Sequence, residues 1–230
     1  MRDPRPGGAP RSAGDGRQPV ATGVVVGYDP GGNGRHGLAI LQVRDGAPIG
    51  LDALTCATAE AVLREVEVIG TPLALGVDTL TCWSTGPGGW RPADRWLMSR
   101  YPEARRSVVS PNALYGSMGL SGMAVLLAVR ERAPGALVTE AHPKVLYRAL
   151  WGGPYDYARR AREMDHELGR AFGIAVSTTT DHEWDAAASA LAALRALDGS
   201  WTRDLHRLPT AGDERTVAPA GPTQYAWPDS

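Results

Sequence analysis

The sequence predicts an α/β fold, a mixed five-stranded sheet flanked by helices, and three observations carry that prediction. An apolar, β-branched run over residues 24–28 ends in Asp29 and breaks at once into Pro-Gly-Gly-Asn-Gly, the pattern of a buried central strand entering a tight turn. A second apolar run, residues 72–77, has the same form and ends in Asp78. Between them lie two more strand patterns and one amphipathic helix, and a strand reached through a crossover helix normally runs parallel to the one it joins. Asp29 and Asp78 are therefore expected at the same edge of the sheet.

Composition sets the scale. With 230 residues, 43% of them hydrophobic, the chain can bury one substantial core but not two full-sized ones. Residues 1–19, rich in Arg, Gly, Pro and Ser with no apolar run behind the arginines, read as a disordered tail and not as a secretory signal. Residues 20–206 form the expected domain, and residues 207–230, where Pro and Gly recur without periodicity, read as a second disordered tail. The longest uncharged apolar stretch, residues 123–129, is far too short to span a bilayer, so a cytoplasmic protein with no membrane partner is expected. The 24 basic and 25 acidic residues leave a formal net charge of -1, so no global field draws the protein to a polyanion, and nucleic acid would have to be met by a local patch. Lys144 is the only lysine. Cys56 and Cys82 lie outside any CxxC or His/Cys cluster in sequence, which points to reduced thiols and to no zinc site.

The elements follow in order. Strands over 20–28, 37–43 and 48–55 are joined by short Gly- and Asp-containing connections, the lengths that antiparallel hairpins use, so the first three strands are expected to be antiparallel. Residues 58–69 place Val62, Leu63, Val66 and Ile69 on one helical face. After Asp78 comes an irregular stretch, 79–90, of the kind that carries substrate contacts beside a site. A helix follows over 91–100, where Trp90, Arg91 and Arg95 combine arginine with aromatic rings, the chemistry of phosphate neutralisation and base stacking. Ordinary packing explains the same residues, and on sequence alone is the slightly stronger reading. A helix over 121–132, a short strand over 136–139 ending in Glu140, helices over 143–150 and 155–172, and a minor strand over 173–177 complete the middle of the chain.

The last helix, 180–197, has a sharp start. Thr180 and Glu183 have capping-box spacing, which gives Glu183 a structural role, and Asp181 lies in the first turn, where the helix dipole favours any carboxylate. Asp185 lies beyond that turn, flanked by alanines that let the helix approach the sheet, and His182 sits one turn before it on the same face.

Taken together, Gly27-Tyr-Asp29, Val77-Asp78, Arg91-Pro-Ala-Asp94-Arg95, Glu140-Ala-His142-Pro143 and His182-Glu-Trp-Asp185-Ala186 resemble the domain-of-unknown-function 429 family, predicted nucleases of ribonuclease H-like fold, over about residues 22–197. The resemblance implies acids at the ends of the first and fourth strands and on the last helix. His182-x-x-Asp185 also resembles the His or Asp three residues before the last acid in resolvases of that superfamily. No acid among Glu60, Glu65 and Glu67 is matched to the helix glutamate of true ribonuclease H.

Acids gathered at one sheet edge repel one another unless cations or protons neutralise them. Hard divalent cations, Mg²⁺ or Mn²⁺, are the natural partners of such oxygens, and a pair of ions can activate water for phosphodiester hydrolysis. The expected metal ligands are Asp29, Asp78 and Asp185, with Glu140 as a further ligand or acceptor and His182 as a proton carrier; Arg91, Arg95 and Trp90 are the expected substrate contacts. The expected activity is that of a divalent-metal-dependent nuclease. Two other classes compete with it. A non-catalytic binding module of the same fold would bind metal without hydrolysing any nucleic acid. An actin-like phosphate-binding protein, for which the Gly31-Gly32-Asn33-Gly34 turn speaks, would be stabilised by ATP, although such proteins need two domains of this kind and this chain has room for one.

Overall fold

The structure, a computed structural model, describes residues 21–113 and 116–229. The expected N-terminal tail, residues 1–19, lies outside the described residues. In chain order the elements are β1 (Gly23–Asp29), β2 (His36–Arg44), β3 (Ala47–Cys56), α1 (Ala59–Ile69), β4 (Ala74–Val77), β5 (Trp83–Ser84), α2 (Pro92–Arg100), α3 (Gly116–Arg132), β6 (Leu137–Glu140), α4 (Pro143–Trp151), α5 (Tyr157–Phe172), α6 (Asp181–Leu197), β7 (Arg203–Asp204), β8 (Thr216–Val217) and β9 (Ala226–Trp227). Residues 173–177, expected as a minor strand, form an irregular connection instead. No helix among the described residues is long and apolar enough to cross a membrane.

The main sheet has the order β3-β2-β1-β4-β6. Strands β1, β2 and β3 pair antiparallel, and β1, β4 and β6 run parallel to one another. The β2–β3 hairpin turns through Asp45 and Gly46, both at positive φ (50° and 75°), the backbone that matches the right-handed strand twist and that Asp-Gly adopts at low cost. Thr58 caps α1, its hydroxyl accepting from the Ala61 N–H, and α1 crosses over the sheet before β4.

Period-two alternation sorts side chains to the two faces. Val26, Tyr28, Leu75 and Val77 point to the layer formed by α1 and α3, where they meet Val62, Val66, Val125 and Leu126. Val25 and Ala74 point the other way, toward α6 and the helices beyond it. On that second face the strands carry glycine where the helix passes. A Cβ on Gly27 would lie 1.9 Å from the Ala186 carbonyl oxygen, one on Gly76 1.9 Å from that of Ser189, and one on Gly37 1.9 Å from that of His182. Helix α6 thus rests directly on backbone, and its alanines complete the fit. Gly27→Ala is expected to cost about 1–3 kcal/mol by overpacking, or more because the obstacle is backbone, and to push α6 off the sheet; urea unfolding measures the first and the near-UV circular dichroism of Trp184, buried on α6, the second.

The C-terminal segment corrects the sequence reading. Residues 207–229 are not a loose tail: Leu205, Tyr225 and Trp227 are each 1% exposed and pack with Tyr101, Leu97 and Val145. The Trp227 Nε1–H donates to the Tyr101 hydroxyl (3.1 Å). Along the outer edge of β6, the Gln224 N–H donates to the Val138 carbonyl (2.9 Å) and the Glu140 N–H to the Gln224 carbonyl (2.8 Å). The segment covers an edge that would otherwise offer unpaired backbone. Two well-spaced aromatic anchors outweigh a composition rich in Pro and Gly.

Candidate active site

Three aspartates come together where β1, β4 and α6 meet. Gly27 pairs with Gly76 in the parallel register and the Asp78 N–H donates to the Tyr28 carbonyl (2.9 Å), so Asp29 and Asp78 leave adjacent strand ends side by side. Residues 25, 27 and 29, like 74, 76 and 78, share the face on which α6 lies. Because glycines let α6 rest on that face, Asp185 reaches the same place. Asp29 and Asp185 are each 3% exposed, while Asp78 keeps more of its surface open.

Their electrostatics follow from that crowding. Burial raises the Asp78 carboxyl well above its ordinary value, and the charges of Asp29 and Asp185 raise it further. Burial, followed by the charge of Asp29, pushes Asp185 up to about 8, with Lys144 and Tyr155 acting in opposition. Asp29 is raised by burial, against the pull of its hydrogen bond to His182. Lys144, near the start of α4, is the one nearby cation that the sequence did not single out for the site. Burial works against its charge, yet Asp185, Asp78 and Asp29 together raise its pKa. One ammonium can balance only one of three carboxylates, so full ionisation of the group needs further cations, and without them protons are retained.

Two further side chains hold the acids in place. The Tyr155 hydroxyl donates to Asp185 Oδ1 (2.8 Å), and the His182 Nδ1–H to Asp29 Oδ2 (2.6 Å). That hydrogen bond is the leading cause of a raised His182 pKa. Thr180 caps α6 as expected, accepting from the Glu183 N–H (3.1 Å). The Glu183 carboxylate, however, turns to the Thr179 N–H (2.7 Å) and the Thr55 hydroxyl (2.9 Å), tying the helix start to β3. A cleft of about 670 Å³ lined by Arg35, Thr55, Thr180 and His182 opens beside the site.

Glu140 is not drawn into this group. Its carboxylate is clamped by Arg91, Nη1 to Oε2 at 2.7 Å and Nη2 to Oε1 at 2.6 Å, and Oε2 also accepts from the Thr81 N–H (3.0 Å). Burial would raise its pKa, but the charge of Arg91 and its hydrogen bonds with His206 and Arg91 hold it far below the usual range. Arg91 is corrected as a substrate contact: it is 2% exposed, and it also pairs with Asp94 (2.7 Å). A short Arg-x-x-Asp spacing at a helix start looks the same in sequence whether the guanidinium faces solvent or core. Arg95 remains 42% exposed but is paired with Glu214 (2.7 Å), and Trp90 packs against the third apolar cluster, around α2 and the C-terminal segment. Of the residues that sequence reasoning missed, Lys144 carried one signal, its uniqueness among 24 basic residues, and Tyr155, in an irregular link before α5, carried none.

No protein-family model matches the chain, and no curated protein matches it. Among solved structures it is similar to Thermus thermophilus RuvC, at 23% identity over 76% of this chain and 96% of that one, with a TM-score of 0.45. It is also similar to T. thermophilus RuvC in complex with Holliday junction substrate, at 19% identity over 77% and 94% of the two chains, with a TM-score of 0.43. Overlaps of this extent leave the chemistry to be read from the residues themselves.

Proposed function

We propose that the protein is a divalent-metal-dependent nuclease of ribonuclease H-like architecture, acting through Asp29, Asp78 and Asp185. The observation that carries the reading is the convergence of these acids at adjacent strand ends and on the helix above them, with proton affinities raised by burial and, at Asp78 and Asp185, by the charge of their neighbours. A site that holds protons this tightly favours a cation in their place, and an all-carboxylate donor set fits Mg²⁺ or Mn²⁺. Asp29 and Asp78, side by side, would share the ion, and Asp185 would complete the ligand set. The chemistry a bound ion would supply there is polarisation of a phosphoryl oxygen and a lowered pKa for an attacking water.

The chain's own residues do the rest. Tyr155 orients Asp185, and His182, its Nδ1 held by Asp29, has Nε2 available to take or return a proton on the cleft side. Lys144 would bind a non-bridging phosphate oxygen, a role that suits a cation already held among acids. The neighbouring cleft, with Arg35 and a row of threonine hydroxyls, suits a sugar-phosphate backbone. Glu140, expected as a further ligand, is assigned instead to the Arg91 ion pair.

The test is a cleavage panel of single-stranded, duplex and branched DNA and RNA with Mg²⁺ or Mn²⁺, run beside Asp78→Asn. Cleavage that needs the metal and Asp78 supports the proposal. Tight metal binding with no cleavage of any substrate would make the protein a binding module.

The raised carboxyls also set a pH signature. Folded Asp185 keeps its proton up to about pH 8, whereas an unfolded aspartate loses it near pH 4, about its unperturbed value. Its contribution to stability is therefore fully present below about pH 4 and erodes as pH rises toward about 8 when no divalent ion replaces the proton. The rise in Tm on adding Mg²⁺ is expected to be larger above about pH 8 than at about pH 6. Equal rises would mean that the cation binds elsewhere.

A further inference from the structure

Among the described residues, Cys82, Glu140 and His206 are brought together with ligand atoms all within 4.8 Å of one another. They come from the connection after β4, the end of β6 and the C-terminal segment, so no local motif announces them. His206 Nε2 lies 3.5 Å from Cys82 Sγ and 3.4 Å from Glu140 Oε2. We propose that these three side chains form a zinc-class transition-metal site, separate from the aspartate site, that fastens the C-terminal segment to the sheet.

The two distances from His206 match the chemistry. With Zn–S of about 2.3 Å, and Zn–N and Zn–O of about 2.0–2.1 Å, tetrahedral angles place S and N about 3.5 Å apart and N and O about 3.3 Å apart. The histidine is oriented for ligation, since its Nδ1 faces the Thr223 carbonyl oxygen at 3.1 Å, directing Nε2 at the other two groups. A catalytic dyad fits less well. Cys82 is 3% exposed, and Glu140 lies on the same ring nitrogen as the thiol, not on the opposite one where an orienting acid belongs.

The surrounding groups can accommodate the ion. Arg91 holds Glu140 through both oxygens and its Nη1 also lies 3.6 Å from Cys82 Sγ, so it would remain as the hydrogen-bond partner of both the ligating carboxylate and the thiolate. Oε2 also accepts from the Thr81 N–H (3.0 Å) and the Thr81 hydroxyl (3.1 Å); the hydroxyl has an alternative partner in Thr223 Oγ1 (2.7 Å) and would turn to it to make room for the metal. Binding of M²⁺ would displace the Cys82 thiol proton to solvent, while His206, with Nδ1–H on the Thr223 carbonyl, would ligate as the neutral imidazole through Nε2. A cleft of about 600 Å³ lined by Arg130, Asp204, His206 and Thr223 gives a path from solvent.

The test uses the full chain, stripped with chelator and titrated with Co²⁺. One equivalent is expected to produce thiolate-to-cobalt charge-transfer absorption with the visible bands of a tetrahedral site, both removed by competing Zn²⁺. Cys82→Ser abolishes the charge-transfer band, Cys56→Ser keeps it, and Asp185→Asn keeps it while losing Mg²⁺ binding. His206→Ala weakens Co²⁺ binding at least about 10-fold, with circular dichroism reporting whether the variant is folded. Absence of a thiolate band in the wild-type chain, or its survival in Cys82→Ser, overturns the proposal. Either result leaves the aspartate site untouched.

Discussion

Arg91→Met is expected to destabilise the protein by about 3–5 kcal/mol, the cost of removing one partner from a buried ion pair. The side chains of Arg91, Glu140 and Asp94 are 3–4% exposed, so the two carboxylates would keep their burial and lose their shared counter-charge. The same guanidinium also donates to the Cys82 carbonyl (3.3 Å), linking β6, α2 and the connection after β4 at one point. Denaturant unfolding measures the effect, and a loss under about 1 kcal/mol would show that water reaches the pair. Adding Glu140→Gln to Arg91→Met is expected to recover part of the loss, because the second change removes one of the stranded charges.

If the protein is the nuclease proposed, Asp29→Asn and Asp185→Asn are each expected to reduce divalent-metal-dependent cleavage by more than the roughly 10–100-fold that losing a partner of a metal ligand costs, since the proposal makes each of them a ligand itself. Stability should move the other way. Burial and the Asp29 charge already push Asp185 toward its neutral form, and Asn supplies a neutral group of the same shape. Asp185→Asn is therefore expected to raise Tm above about pH 8 without metal while activity falls, the trade expected at a strained site. Single-turnover cleavage and a thermal melt on the same preparation check both halves. A variant that lost activity and stability together would mark Asp185 as a structural residue.

The architecture was largely legible in the chain because it depends on local signals. Alternating apolar runs, the Asp45-Gly46 turn and the crossover helix sufficed for a mixed sheet with its first three strands antiparallel. Strand-end acids after residues 24–28 and 72–77 could be paired in advance because parallel strands joined by a crossover emerge at the same edge. The alanines around Asp185 pointed to close approach, although the facing glycines at 27, 37 and 76 gave no separate warning.

Sequence by itself determined the order of the five main strands and the long helices, the close approach of α6 to the sheet and which three aspartates to bring together, because periodicity and caps act over a few residues and restrict how the pieces can assemble. Only the tertiary structure decided the partners of each charge. It placed Glu140 with Arg91, Lys144 among the aspartates, His206 beside Cys82, and the aromatic C-terminal segment along the edge of β6. Those pairings join residues tens of positions apart, and what selects them is the cost of leaving a charge or an apolar ring without a partner once the core excludes water.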